Sequence, residues 1–182
     1  MTLVDWSEVV DRMRVRQMYE EAFPASVRAP WEEIENPRSD EEILVWQANG
    51  KPVAFLLVRR LGPTSAVFVR YLAVDRAARG SGVGSEFWSE FVRRASAEGV
   101  TTVLLDVEDP DTDPAHATEH RRRIAFYERL GLSRIPGEYV PPDHGQTGEE
   151  VPLLLMGASL KATPIDGAGA IEAVMRYRYG VR

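Results

Sequence analysis

The chain has 182 residues, 44% hydrophobic and 27% charged, the balance of a globular domain able to bury a core rather than of a disordered tail. It contains no cysteine, which excludes disulfides, thiolate metal sites, iron–sulfur clusters and a cysteine nucleophile; its three histidines, His116, His120 and His144, lack the second pair that a zinc site needs. With 22 basic against 28 acidic residues the net charge is −6, which argues against a nucleic-acid partner held by broad phosphate neutralisation.

The first residues carry no basic run and meet an acid at Asp5, unlike a signal peptide, and no apolar run approaches membrane-spanning length. The expectation is a soluble, cytoplasmic single domain over 1–182, with 161–182 as a C-terminal extension and no membrane partner. Residues 7–23 set Val9, Val10, Met13 and Tyr19 among charges and predict an amphipathic helix that stops at Pro24. Residues 24–42, with three prolines and a crowd of acids, predict a short helix between loops. Residues 43–48 lead into Asn49-Gly50, a strong hairpin signal, and 53–59 return as the partner strand. A third strand covers 66–74; strands this apolar on both sides call for cover on both faces. From Val83 the period changes: Val83, Phe87, Phe91 and Ala95 recur at helical spacing, Trp88 and Val92 widen the stripe, and Gly99 ends it. Residues 101–107 read as a buried strand and 109–118 as a polar loop. A second helix, with Ile124, Tyr127 and Leu130 on one side, closes at Gly131. Strand candidates follow near 133–140 and 152–160. A tail from about Asp166 sets Ile171, Val174, Met175 and Tyr179 on one helical face. The order predicts an α/β (α+β) mixed sheet with at least one parallel crossover.

The segment from Val69 to Gly84 carries the most chemistry. A buried strand runs into Arg79-Gly80-Ser81-Gly82-Val83-Gly84, which opens directly into the first long helix. Glycines let successive backbone N–H groups converge, and a helix N-terminus adds partial positive charge, so the segment is a candidate pyrophosphate site beside Arg76 and Arg79. Contact geometry can outweigh the acidic balance of the whole chain, since distant charges are screened beyond about 8 Å. The G-x-G-x-x-G spacing of a dinucleotide fold is missing, and no lysine follows the glycines as a P-loop requires. The competing reading is a tight turn into a helix.

Arg79 to Gly84 matches the R/Q-x-x-G-x-G/A signature of the GNAT superfamily of N-acetyltransferases. Tyr71-Leu72-Ala73-Val74 resembles its fourth strand, and Ala125-Phe126-Tyr127-Glu128-Arg129-Leu130-Gly131-Leu132 resembles its second signature. The resemblance runs over roughly residues 43 to 160. Phe23-Pro24 with Arg28 and Pro30 also resembles a substrate-side segment of some bacterial members, and Thr2 to Asp5 is the candidate for the family's first strand.

The resemblance implies a GNAT-like fold, a central twisted mixed sheet with splayed parallel strands flanked by helices, and direct transfer of acetyl from acetyl-CoA to an amine without a metal. The backbone of Leu72, Ala73 and Val74 would hold the pantetheine arm, and Arg79, Gly80, Ser81, Gly82, Val83, Gly84 and Ser85 would wrap the pyrophosphate. Tyr127 would protonate the departing thiolate, although core packing beside Ile124 and Leu130 is its plain alternative. Phe23 and Arg28 would face the acceptor. Phe68 stands where some members carry a glutamate base, so the base must lie elsewhere. Strand alternation puts Asp106 and Glu108 on one face, opposite Leu105 and Val107, and Glu108, nearer the strand end, is the expected base. Its alternative is a solvated strand-end acid. His120 falls where the family often has an asparagine; with His116 it is a minor candidate for the base, and the run Arg121-Arg122-Arg123 reads as a solvated helix face, with contact to CoA phosphate as its alternative. Acids in 32–42 and 109–113, if they flank the acceptor groove, would favour a cationic small-molecule or peptide amine. The rival from another class is a non-catalytic acyl-CoA-binding sensor or scaffold; a nucleotide-binding module comes third. Either a monomer or a homodimer fits.

Overall fold

Asn49 and Gly50 have φ values of +51° and +76°, the two left-handed residues of a tight hairpin turn. In the computed structural model, which describes residues 1–142 and 152–181, they join β2 (Glu41–Ala48) to β3 (Lys51–Arg60). His144 lies outside the described residues. β1 (Thr2–Asp5) pairs antiparallel with β2, so the short N-terminal candidate is a strand. β4 (Ala66–Val74) adds antiparallel to β3. The chain then crosses through α3 (Val83–Ala97) to β5 (Thr102–Glu108), parallel to β4. β7 (Leu153–Ser159) pairs antiparallel with β5, and β6 (Ser133–Arg134) with β7, giving one sheet in the order β1-β2-β3-β4-β5-β7-β6.

Two expectations are corrected. The first helix, α1 (Arg12–Ala22), starts at the cap Asp11, whose side chain accepts from the Arg14 N–H at 3.0 Å; Trp6–Glu8 form a separate 3-10 turn. Val10 and Met13, expected on its apolar face, are 96% and 72% exposed. In place of a strand over 133–140, only Ser133 and Arg134 pair, because Pro136 and Gly137 (φ +136°) turn the chain away. α2 (Trp31–Glu35) and α4 (Ala117–Arg129) form near where the sequence placed them. The tail is α5 (Gly167–Ala173), continued by a π-helical turn, Val174–Arg178.

Both sheet faces are covered. α3 and α4 pack Phe87, Phe91 and Tyr127 on Leu56, Val69 and Leu105. On the opposite face, α1 and α2 set Tyr19 and Ile34 on Ile43, Phe55 and Leu57. The tail completes that face, with Ala170, Ala173 and Val174 over Leu61, Phe68, Leu104 and Leu155. Each large side chain so buried contributes roughly 1.5–3 kcal/mol against exposure.

The feature that positions the site is where β4 and β5 part. They pair at Ala66↔Thr102, Val67↔Val103 and Phe68↔Leu104 and not beyond. Across β4 from that point, Tyr71 opposes Leu57 and Val69 opposes Val58, so Arg70 is the extra residue of a β-bulge. The bulge also switches the strand's parity. Phe68 faces the tail and Val69 faces α3, whereas after the bulge Tyr71 and Ala73 face α1 and Leu72 faces α3. Between the diverging halves, the facing backbone groups of β4 and β5 have no strand partner.

Candidate active site

β4 ends at Val74, and Asp75 turns the chain by accepting from the Ala77 N–H at 2.8 Å while pairing with Arg14 of α1. Gly80 and Gly82 lie in the left-handed region at φ +78° and +89°. A Cβ at either would meet nothing within 4 Å, so glycine is required for backbone conformation and not for space. The Gly82 carbonyl accepts from Ser85 and Glu86, both at 3.0 Å. The N–H groups of Val83 and Gly84, first in α3, are left with no intrahelical partner and the helix dipole behind them. Gly84 is a different case: its Cβ would stand 3.3 Å from both Phe126 and Val74, so its smallness seats α3 against α4 and the end of β4. Arg79 donates its Nε–H to the Val74 carbonyl at 3.0 Å and is otherwise exposed, while Ser81 Oγ donates to the Ala78 carbonyl at 2.7 Å. The loop, the free amides and the two arginines fit a diphosphate, and the parted strands fit an extended arm that needs backbone hydrogen bonds.

Tyr127, on α4, is 8% exposed and sits edge-on to Trp88, with ring centroids 6.0 Å apart. Burial pushes its pKa up to about 12; Glu108 and Asp106 add to the shift, and Arg123 opposes it. The phenol therefore holds its proton at neutral pH and is a donor. Glu108 is buried and forms an ion pair with Arg123, one turn ahead of Tyr127. Its Oε2 also lies 3.9 Å from Nδ1 of buried His120, an atom with no hydrogen-bond partner. His120 Nε2 lies 3.3 Å from Asp113 Oδ2, which also takes the exposed His116 Nδ1 at 2.8 Å; that bond holds the Asp113 pKa below the usual range. A line of titratable groups thus runs from the end of β5 to the surface.

Asp106 and Glu108 leave the regularly paired β5 opposite Leu105 and Val107, as strand alternation predicts, but their carboxyl groups go to different partners. Asp106 turns to the tail, accepting from the Tyr139 and Tyr179 hydroxyls at 2.7 and 2.8 Å, whereas Glu108 leans to α4. Beyond its last pairing with β4, the strand end follows the cation available on α4. Arg123 is accordingly an inward residue and not part of a solvated face, although Arg121 and Arg122 are exposed.

On the face opposite α4, Phe23 packs edge-on against Tyr71 at 4.9 Å. The Tyr71 hydroxyl accepts from the Ala29 N–H at 2.9 Å and donates to the Val27 carbonyl at 3.2 Å, fixing the α1–α2 connection over the parted strands. Arg28 points back to α1, donating to the Glu20 and Phe23 carbonyls at 3.1 and 3.3 Å. A cavity of about 400 Å³ opens at the end of β5, lined in part by Ser26, Asp109, Tyr139 and Leu153.

Residues 12–132 match the model of the acetyltransferase (GNAT) family. The chain belongs to that family. No curated protein matches the sequence. Among solved structures, a GNAT-family protein of Bacteroides thetaiotaomicron superposes with a TM-score of 0.76 at 20% identity, covering 100% of both chains. The ribosomal-protein-S18-alanine N-acetyltransferase of Escherichia coli gives 0.65 at 18% identity over 91% of this chain and 97% of its own. An aminoglycoside 6′-N-acetyltransferase complexed with coenzyme A gives 0.61 at 18% identity over 91% and 100%. At such identities these likenesses speak for the fold; the match over 12–132 carries the membership and makes the chain an acyltransferase.

In this GNAT chain the glycine loop and the end of β4 meet α4, where a Cβ at Gly84 would touch both Val74 and Phe126, and the end of β5 meets α4 through Glu108 and Arg123. Sequence reading missed three residues that gather at the parting strands: Arg70, Tyr139 and Arg178. The last two follow the second signature, and only a buried-charge count along β4 could have singled out Arg70. Several of the acids expected to draw a cationic acceptor are paired within the fold. Asp40 pairs with Arg59 at 2.9 Å, Glu41 with Arg70 at 2.6 Å, Glu42 with Arg94 at 2.5 Å and Asp111 with Arg121 at 3.5 Å.

Proposed function

We propose that the protein transfers the acetyl group of acetyl-CoA directly to an amine. The observation that carries this reading is the parting of β4 and β5 immediately before a glycine-rich loop at the N-terminus of α3, with the buried Tyr127 alongside. Within Leu72, Ala73 and Val74, the alternate backbone groups that turn away from β3 suit the pantetheine arm, the Val74 carbonyl being shared with Arg79. Residues Arg79 to Ser85 suit the pyrophosphate. The amine nitrogen attacks the thioester carbonyl carbon; the N–C bond forms, the C–S bond breaks, and the sulfur leaves as thiolate. The Tyr127 hydroxyl gives that sulfur a proton, and Glu108 takes the amine proton through water, with His120, Asp113 and His116 leading it to solvent. Phe23 forms an apolar wall for the acceptor, and Arg28 acts by holding the end of α1.

The same reading makes 1–182 one domain that the tail completes, working in the cytoplasm as a monomer or homodimer. Among the described residues no helix is long and apolar enough to cross a membrane. One observation favours a second reading: Phe68, 1% exposed in the tail cluster, leaves no acid at that point of β4, as a sensor that binds acyl-CoA without turnover would allow. Free-thiol release from acetyl-CoA across a panel of amines separates the two. Amine-dependent release that Tyr127→Phe abolishes without loss of CoA binding supports transfer; binding with no release on any amine supports the sensor.

A further inference from the structure

A group of charged side chains on the tail side of the parting strands has no part in moving the acetyl group. Arg70 stands two residues beyond the last β4–β5 pair, and Asp106 stands two residues beyond it on β5. Phe68 and Leu104 both face the tail, so Arg70 and Asp106 lie on that side, one on each lip of the opening. The Arg70 side chain is 5% exposed. One of its Nη groups donates to Glu41, but its Nε–H is buried with no acceptor.

Arg178, the last residue of the π-helical turn, closes over the same place. Its carbonyl accepts from Arg59 Nη1 at 3.3 Å, and Arg59 also lies 3.9 Å from the Glu41 oxygen that Arg70 holds. Its guanidinium rests 4.8 Å over the Tyr179 ring. No described residue accepts a hydrogen bond from that guanidinium, and its Nε is buried without a partner. Burial, and then the neighbouring Arg70 charge, hold its pKa below the ordinary value, with Tyr179, Asp106 and Tyr71 opposing. Leaving buried donors of a charged group unmet is costly, so two of them in one place call for an anion that the described residues do not supply. A guanidinium fork suits a carboxylate, which it can grip at both oxygens. Beside it, Asp106 takes two tyrosine hydroxyls on Oδ2 and none on Oδ1, leaving an acceptor for an ammonium.

We propose that the acceptor is an amine that also bears a carboxylate, of the amino-acid type, and that Arg178, backed by Arg70, holds that carboxylate. This rests on the acetyl-transfer reading, which requires the amine. Calorimetry in the presence of coenzyme A, with α-amino acids, short dipeptides and the carboxamide of each, tests it on the wild-type protein and on Arg178→Gln and Arg178→Lys. At least one acid is expected to bind tighter than its amide by on the order of 10- to 100-fold. Arg178→Gln is expected to erase the difference and Arg178→Lys to restore part of it. Whether the amino acid or the dipeptide responds identifies the source of the carboxylate. Equal binding of acid and amide by the wild-type protein, no binding of any acid, or a preference that survives in a folded Arg178→Gln would each overturn the proposal. Thiol release is read separately. Acid-selective binding without release counts against acetyl transfer alone, and release that treats acids and amides alike counts against carboxylate recognition alone.

Discussion

Tyr127 and Glu108 sit side by side on one helix and one strand, yet their replacement is expected to read out differently. Because burial pushes the Tyr127 pKa up to about 12, the phenol keeps its proton through the neutral range and loses it only as pH rises through that value. The pH profile of kcat/KM is expected to climb as the amine deprotonates and then stay level to about pH 10. A descending limb near neutrality that Tyr127→Phe removes would contradict the assignment. In the plateau, Tyr127→Phe is expected to lower kcat by about 100-fold, with CoA affinity unchanged. Glu108→Gln is expected to lower both turnover and stability, since it leaves the Arg123 guanidinium unpaired in a largely buried place; a loss of roughly 2–4 kcal/mol is anticipated. Adding Arg123→Met separates the roles. Chemical denaturation should show stability regained, and thiol release should show turnover still lost. Recovery of turnover in the double variant would make Glu108 a partner of Arg123 and nothing more.

Among the elements, α3 and its approach carry the clearest expectation. Gly82→Ala adds a methyl in open space but forces an L residue to φ +89°, which costs about 1–2 kcal/mol. It should lower the melting temperature by a few degrees and, by tilting the first amides of α3, weaken acetyl-CoA in calorimetry several-fold. Unchanged affinity would place the diphosphate elsewhere. Gly62→Ala is the harsher change, because its Cβ would stand 2.5 Å from the Tyr177 ring; it should loosen the tail and give a broad, lowered melt. Much of this was legible in the sequence because periods of 2 and 3.6 differ over a few residues. The hairpin at Asn49-Gly50, the stripe from Val83 to Ala95 and the two signatures all lie within single elements. The bulge at Arg70 was not legible: no glycine or proline marks it, and it shows only in the register of β4 against β3. The start of α1 was misplaced because Val10 and Met13 look apolar but face solvent. Nor does local sequence show Arg178 returning to Arg70, since that meeting depends on how the tail crosses the sheet.

For the whole molecule, the surplus of six negative charges is less telling than where its acids lie. Several are matched to arginines inside the fold, so the net charge is a poor guide to the acceptor. The tail is more consequential. It covers Leu61, Phe68, Leu104 and Leu155, none more than 1% exposed, and supplies Tyr179 and Arg178 to the opening. A chain cut after Leu160 uncovers that cluster, and at roughly 25 cal/mol per Å² of apolar surface the loss is several kcal/mol, a large part of a domain's stability. It should aggregate or melt well below the full chain; an unchanged cooperative melt would make the tail an appendage. The claim on which everything else depends is that acetyl-CoA lies between β4 and β5 with its diphosphate at the start of α3. Hydrogen–deuterium exchange with and without acetyl-CoA tests it directly. Protection gathered at the amides of 72–74 and 80–85 is the expected result, and protection absent there or confined to another face would contradict the account.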